Sequence, residues 1–120
     1  MRVIAFFILA LTSSAVFAGY DIHITRKAFW ADEDGPTISI SDWEKYIAQD
    51  PQITPDTKNT KNDFLVSLGT ETFPIWFNPI LGELYTKNPS DDAIKKMIDV
   101  ASRLGASAQG DDGELYPPAP

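Results

Sequence analysis

NPSDDAIKKMIDVASRLGASAQGDDGELY, from Asn88 to Tyr116, reads as one amphipathic helix, a glycine stop, a short strand and an acidic turn. Ile94, Met97, Ile98, Ala101 and Leu104 recur at helical spacing, so a single apolar stripe turns toward a core. Ser90 is the expected N-cap, with Pro89 outside the helix and Asp91 and Asp92 in the electropositive first turn. Asp91 with Lys95, Asp92 with Lys96 and Asp99 with Arg103 are spaced i,i+4, acid first, which is the favourable order. Gly105 supplies the left-handed residue that ends many helices. Agreement among these local cues marks a well-specified element.

Working back from that helix, three strand-like runs precede it: Phe64 to Leu68, Thr72 to Phe77, and Leu81 or Glu83 to Lys87. Gly69-Thr-Glu and Asn78-Pro-Ile-Leu-Gly82 separate them, lengths suited to antiparallel hairpins. Residues 51–63, PQITPDTKNTKND, are polar, contain two prolines and show no period, so they are expected to be loop. Ser41-Asp42-Trp43-Glu44 has the form of a capping box, opening a short helix with Trp43, Tyr46 and Ile47 as its apolar stripe and Asp50-Pro51 as its stop. Residues 31–36 form an acidic turn rich in breakers. Tyr20 to Lys27 alternates as a half-buried strand, with Tyr20, Ile22 and Ile24 on one face and Asp21, His23 and Thr25 on the other. A strand at Ala106–Gln109 and a segment Glu114–Tyr116 follow the long helix. The order β-α-β-β-β-α-β implies an α+β domain: an antiparallel sheet of four to five strands with both helices on one face.

The chain has 120 residues, enough for one small domain. Residues 1–18 have the form of a secretory signal: Arg2, an apolar run from Val3 to Leu11, and Val16-x-Ala18 before Gly19. The run is shorter than the about 20 apolar residues of a spanning helix. The expected organisation is therefore a signal at 1–18, a single domain at 19–116 and a disordered tail at 117–120. It implies a periplasmic or secreted protein without stable membrane insertion once the signal is cleaved. With no cysteine, an exported domain rests on its core alone, without disulfides or a lipid-modified cysteine. The full chain carries 10 basic and 17 acidic side chains, and losing Arg2 takes its net charge from −7 to about −8. Phosphate binding needs clustered Lys and Arg, so nucleic acid is a poor partner. A basic protein partner is the complement of such a surface, although acidity also serves solubility.

YDIHITR, the pattern around Ser39–Trp43, PIWF and, above all, KNPxxxxIxKMIxxAxxLGAxxQGDDGELY resemble a group of small, mostly uncharacterised bacterial proteins. Some of that group are similar to immunity proteins of polymorphic toxin systems. The resemblance spans nearly the whole chain after residue 18 and implies a binding protein that neutralises a toxin. Many of the group lack a signal, so the export pattern here is a departure from them.

Candidate chemistry is sparse. His23 is the chain's one histidine, so a second imidazole ligand or base is excluded, and the expected state is a partly exposed strand histidine. Asp32-Glu33-Asp34-Gly35 and Asp111-Asp112-Gly113-Glu114 are acidic turns that do not match a calcium loop, so no metal or other cofactor is expected. No G-x-S-x-G is present. Glu83 and Glu114, each beside apolar residues on a strand, are the carboxylate pair that a small envelope hydrolase would use. By strand parity Trp76, Leu65, His23 and Tyr85 face away from the helices. That face is either an interface or a surface covered by residues 51–63. Since no catalytic constellation is complete, the favoured reading is an exported immunity or inhibitor protein. Its partner-binding residues are then Trp30, Asp32, Glu33, Asp34, Trp76, Asp111, Asp112 and Glu114, and its partner a basic toxin or cell-wall hydrolase.

Overall fold

Alternation in Thr72–Asn78 puts Phe73, Ile75 and Phe77 on one side of a strand, all buried, with Trp76 on the other. A computed structural model, describing residues 20–117, shows how the rest of the chain follows that face. It contains β1 (Asp21–Thr25), α1 (Ile40–Ile47), β2 (Ile53–Pro55), β3 (Asp63–Ser67), β4 (Thr72–Asn78), β5 (Glu83–Lys87), α2 (Asp91–Arg103), β6 (Ser107–Gly110) and β7 (Leu115–Tyr116). One antiparallel sheet runs in the order β2-β3-β4-β5-β1-β6-β7. The α+β class and the two helices match expectation, but the sheet has seven strands and the element order is β-α-β-β-β-β-α-β-β. Two short edge strands account for the difference. β2 lies inside the segment expected to be loop, where Ile53 is buried and Pro55 sits on an edge that needs no donor. β7 is only two residues long and is held by β6.

The sequence-first strand is not at an edge. β1 inserts between β5 and β6, and Ile22 and Ile24 lose all exposure against the helices. Burying each such side chain contributes about 1.5–3 kcal/mol. From α1, Trp43 meets Phe64 edge-on, with ring centroids 5.5 Å apart, and is wholly buried. The N-cap of α1 is Ser39, whose Oγ accepts from the Asp42 amide at 3.0 Å; the capping box expected at Ser41 starts two residues late.

In α2 the predicted caps are present: Ser90 Oγ accepts from the Ala93 amide at 3.1 Å, and Gly105 has φ 63°. Its buried stripe is Ala93, Met97, Val100 and Ala101, continued by Leu104, while Ile94 and Ile98 flank it half-buried. The stripe is rotated from the expected one: Ala93 and Val100 take the buried positions expected for Ile94 and Ile98 where the helix packs on β1 and β6. Asp99 and Arg103 pair at 3.1 Å as expected. Lys96 turns instead to Asp50, at 2.8 Å, and Gln52, at 2.7 Å. Arg26, just after β1, donates twice to the Leu104 carbonyl and once to Asp42, joining the end of α2 to the start of α1. No helix among the described residues is long and apolar enough to cross a membrane. The expected signal at 1–18 and residues 118–120 lie outside the described residues.

Candidate functional site

The register runs Asp63, Trp76, Tyr85, His23, Gln109 and Leu115 side by side across the face turned away from the helices. Trp76 and Tyr85 meet with ring planes tilted by 34° and centroids 5.2 Å apart; both are half-buried on the face that parity predicted. His23 does not stay half-exposed; it is 4% accessible. What covers it is not the segment 51–63 but the connection that follows β1. Trp30 lies flat on the imidazole, centroids 3.7 Å apart and planes within 6°. Gln109, the cross-strand neighbour of His23, staples that connection down. Its Oε1 accepts from the Trp30 amide at 3.0 Å, and its Nε2 donates to the Ala28 carbonyl at 3.2 Å.

Both ring nitrogens of His23 meet carboxylates: Nδ1 lies 2.8 Å from Glu83 Oε2 and Nε2 3.1 Å from Asp111 Oδ1. Burial opposes the imidazolium, yet the bonds to Glu83 and Asp111 outweigh it and hold the histidine pKa above its ordinary value. Asp21, two residues before His23 on the same strand face, brings a carboxylate oxygen to the same point. The ligand atoms of Asp21, His23 and Asp111 all lie within 4.8 Å of one another. Asp111 Oδ2 also accepts from the Asp21 amide at 3.3 Å. Asp21 was missing from the sequence-derived site; the signal that would have found it is the i,i+2 spacing Asp21-x-His23 on a strand.

The two acidic turns adjoin. Trp30 Nε1 donates to the Asp111 carbonyl at 3.0 Å, and the Phe29 ring packs over Gly113. A Cβ on Gly113 would stand 2.8 Å from that ring, and its φ of 85° independently demands glycine. Phe29 itself is 37% exposed where the two turns meet, and Asp32, Glu33, Asp34, Asp112 and Glu114 of those turns are all exposed. Trp30, expected as a free anchor, is instead half-buried as the lid of His23, and Asp111 points inward. Trp76 lies two strands away from His23, at Tyr85.

Glu83 and Glu114 do not meet. Glu83 is buried under His23 on the open face. Glu114 accepts from Tyr20 Oη at 3.0 Å above Gly110, whose register partner Ile22 faces the helices. A largely apolar cleft of about 550 Å³ is lined by Ile38, Ile40, Phe77 and Pro79, with Glu44 and Lys61 as its charged members. No family model, curated protein or solved structure matches the chain.

Proposed function

We propose that this domain is an exported acidic binding protein of the immunity or inhibitor type, neutralising a basic toxin or cell-wall hydrolase that acts in the envelope. The observation that carries this reading is the convergence of the two acidic turns around exposed Phe29. An apolar anchor ringed by like charge has the form of an interface centre with a charged rim. The carboxylates of Asp32, Glu33, Asp34, Asp112 and Glu114 steer a cationic partner, and Phe29 seats in an apolar pocket on it. Trp30 and Asp111 hold the two turns together from beneath. Trp76 and Tyr85 extend the apolar surface across the open sheet face.

Capture from an envelope extract of the native host, at low and then high salt, tests the reading. A basic envelope protein should be retained by the wild-type chain and released by salt. Phe29→Ala should weaken its retention severely, since truncating a central anchor costs about 2 kcal/mol or more. Retention that is indifferent to Phe29→Ala, or no basic protein retained at all, would count against it.

A further inference from the structure

We propose that Asp21, His23 and Asp111 form a binding site for one divalent first-row transition ion, with Glu83 as the residue that positions the histidine. The Glu83 side chain is 2% exposed, and a carboxylate can only accept, so the Nδ1 facing it at 2.8 Å carries the proton. That leaves Nε2 of a side chain 5% exposed aimed at Asp111 Oδ1, 3.1 Å away. A neutral ring meets that oxygen with a lone pair, whereas the imidazolium favoured by Glu83 and Asp111 donates to it. Asp21, whose carboxylate joins this cluster, has Oδ1 buried with no hydrogen-bond partner, while its Oδ2 faces Lys87 Nζ at 3.9 Å. A proton on Nε2 serves Asp111 and leaves Asp21 Oδ1 unserved. A divalent cation serves all three atoms at once.

The geometry fits such an ion. Zinc–nitrogen and zinc–oxygen bonds of about 2.1 Å put neighbouring ligand atoms of a tetrahedron about 3.4 Å apart. The Nε2 to Asp111 separation of 3.1 Å is already close to that edge, and the whole set spans at most 4.8 Å, so binding draws Asp21 inward. Glu83 on Nδ1 supplies the carboxylate that commonly fixes the tautomer of a metal-binding histidine. Trp30 stacked at 3.7 Å holds the ring plane. One imidazole with two carboxylates favours ions such as Zn²⁺ over Ca²⁺ or Mg²⁺, which prefer all-oxygen sets. The site leaves coordination positions for solvent, and the ion would clamp the turn at 110–113 onto β1.

The test uses Zn²⁺ alone, so it stands apart from any protein partner. The chain, purified without a polyhistidine tag, is followed by nitrogen-detected NMR of its single imidazole during a Zn²⁺ titration, with calorimetry alongside. One equivalent of Zn²⁺ should shift Nε2 while Nδ1 keeps its proton, and Ca²⁺ should bind at least about tenfold more weakly. Asp21→Asn and Asp111→Asn should each weaken binding by about tenfold or more, and Glu83→Gln by about 10–100-fold. Asp92→Asn, on the exposed side of α2, should change nothing. The wild-type titration needs no variant to fold: an Nε2 signal unmoved at millimolar Zn²⁺, showing an imidazolium only, overturns the proposal. Ca²⁺ binding as tightly as Zn²⁺, or folded Asp21→Asn and Asp111→Asn chains that bind normally, overturns it too.

Discussion

Lys96→Met should be among the most costly surface-to-interior changes in this domain. Asp50 is 8% exposed, and its carboxylate takes Lys96 Nζ at 2.8 Å, the Tyr46 hydroxyl and the Gln52 amide at 3.1 Å. The Lys96 side chain is itself only 11% exposed, so removing its charge strands an anion away from water. Breaking a buried pair from one side costs about 3–5 kcal/mol. Two surviving hydrogen bonds place this case near the lower end, about 3 kcal/mol. Urea titration at neutral pH, read through the fluorescence of the three tryptophans, should show a midpoint lowered by about 1–3 M. The loss depends on pH in a defined direction. Burial raises the Asp50 pKa, but the bonds from Lys96 and Tyr46 outweigh it and hold the carboxyl below its ordinary 3.8. A depressed folded pKa contributes stability above the unfolded value and loses it as pH falls through the folded one. The gap between wild type and Lys96→Met should therefore be full at pH 7 and narrow below about pH 4. A loss under about 1 kcal/mol, or one constant from pH 7 to pH 3, refutes the argument.

Met97→Ala and Leu104→Ala, both in the core, should each cost about 2–5 kcal/mol in the same titration, whereas half-buried Ile98→Ala should cost about 1 kcal/mol. Gly113→Ala should cost about 1–3 kcal/mol through its positive φ and its collision with Phe29, and it should shift the His23 ring signals. Intact mass of the protein from its native host should match cleavage after Ala18; a soluble species retaining residues 1–18 would contradict export.

The legible parts of this fold are those written locally. Ser90, Gly105 and the Asp99–Arg103 pair act within one or two turns of chain, and strand parity separated Trp76 from Phe73, Ile75 and Phe77. The face of α2 was less legible, because a 3.6-residue period fits both the Ile94–Ile98 stripe and the Ala93–Met97–Val100 stripe. Packing on β1 and β6 chose the second. β2 has a single buried apolar residue, Ile53, and exists through its pairing with β3, so no periodic signal announces it. The site followed the same division. Asp21 and His23 share a face by parity, but Asp111 and Trp30 arrive from distant turns, and only the tertiary fold lays an indole on the imidazole. Glu83 and Glu114 looked equivalent as strand acids flanked by apolar residues, yet Glu83 lies under His23 on the open face and Glu114, in the turn before β7, binds Tyr20 above Gly110.

The central claim, that the joined acidic turns recruit a basic partner, is tested most directly by association kinetics. Surface plasmon resonance against the captured envelope protein would compare wild type with a chain carrying Asp32→Lys, Asp34→Lys and Asp112→Lys, from about 10 mM to 1 M salt, the range over which screening length falls from about 30 Å to 3 Å. The wild-type association rate should fall steeply with salt, the charge-reversed chain should be at least about tenfold slower at low salt, and the two curves should converge when screening is complete. Association rates that are equal for the two chains at low salt would contradict it.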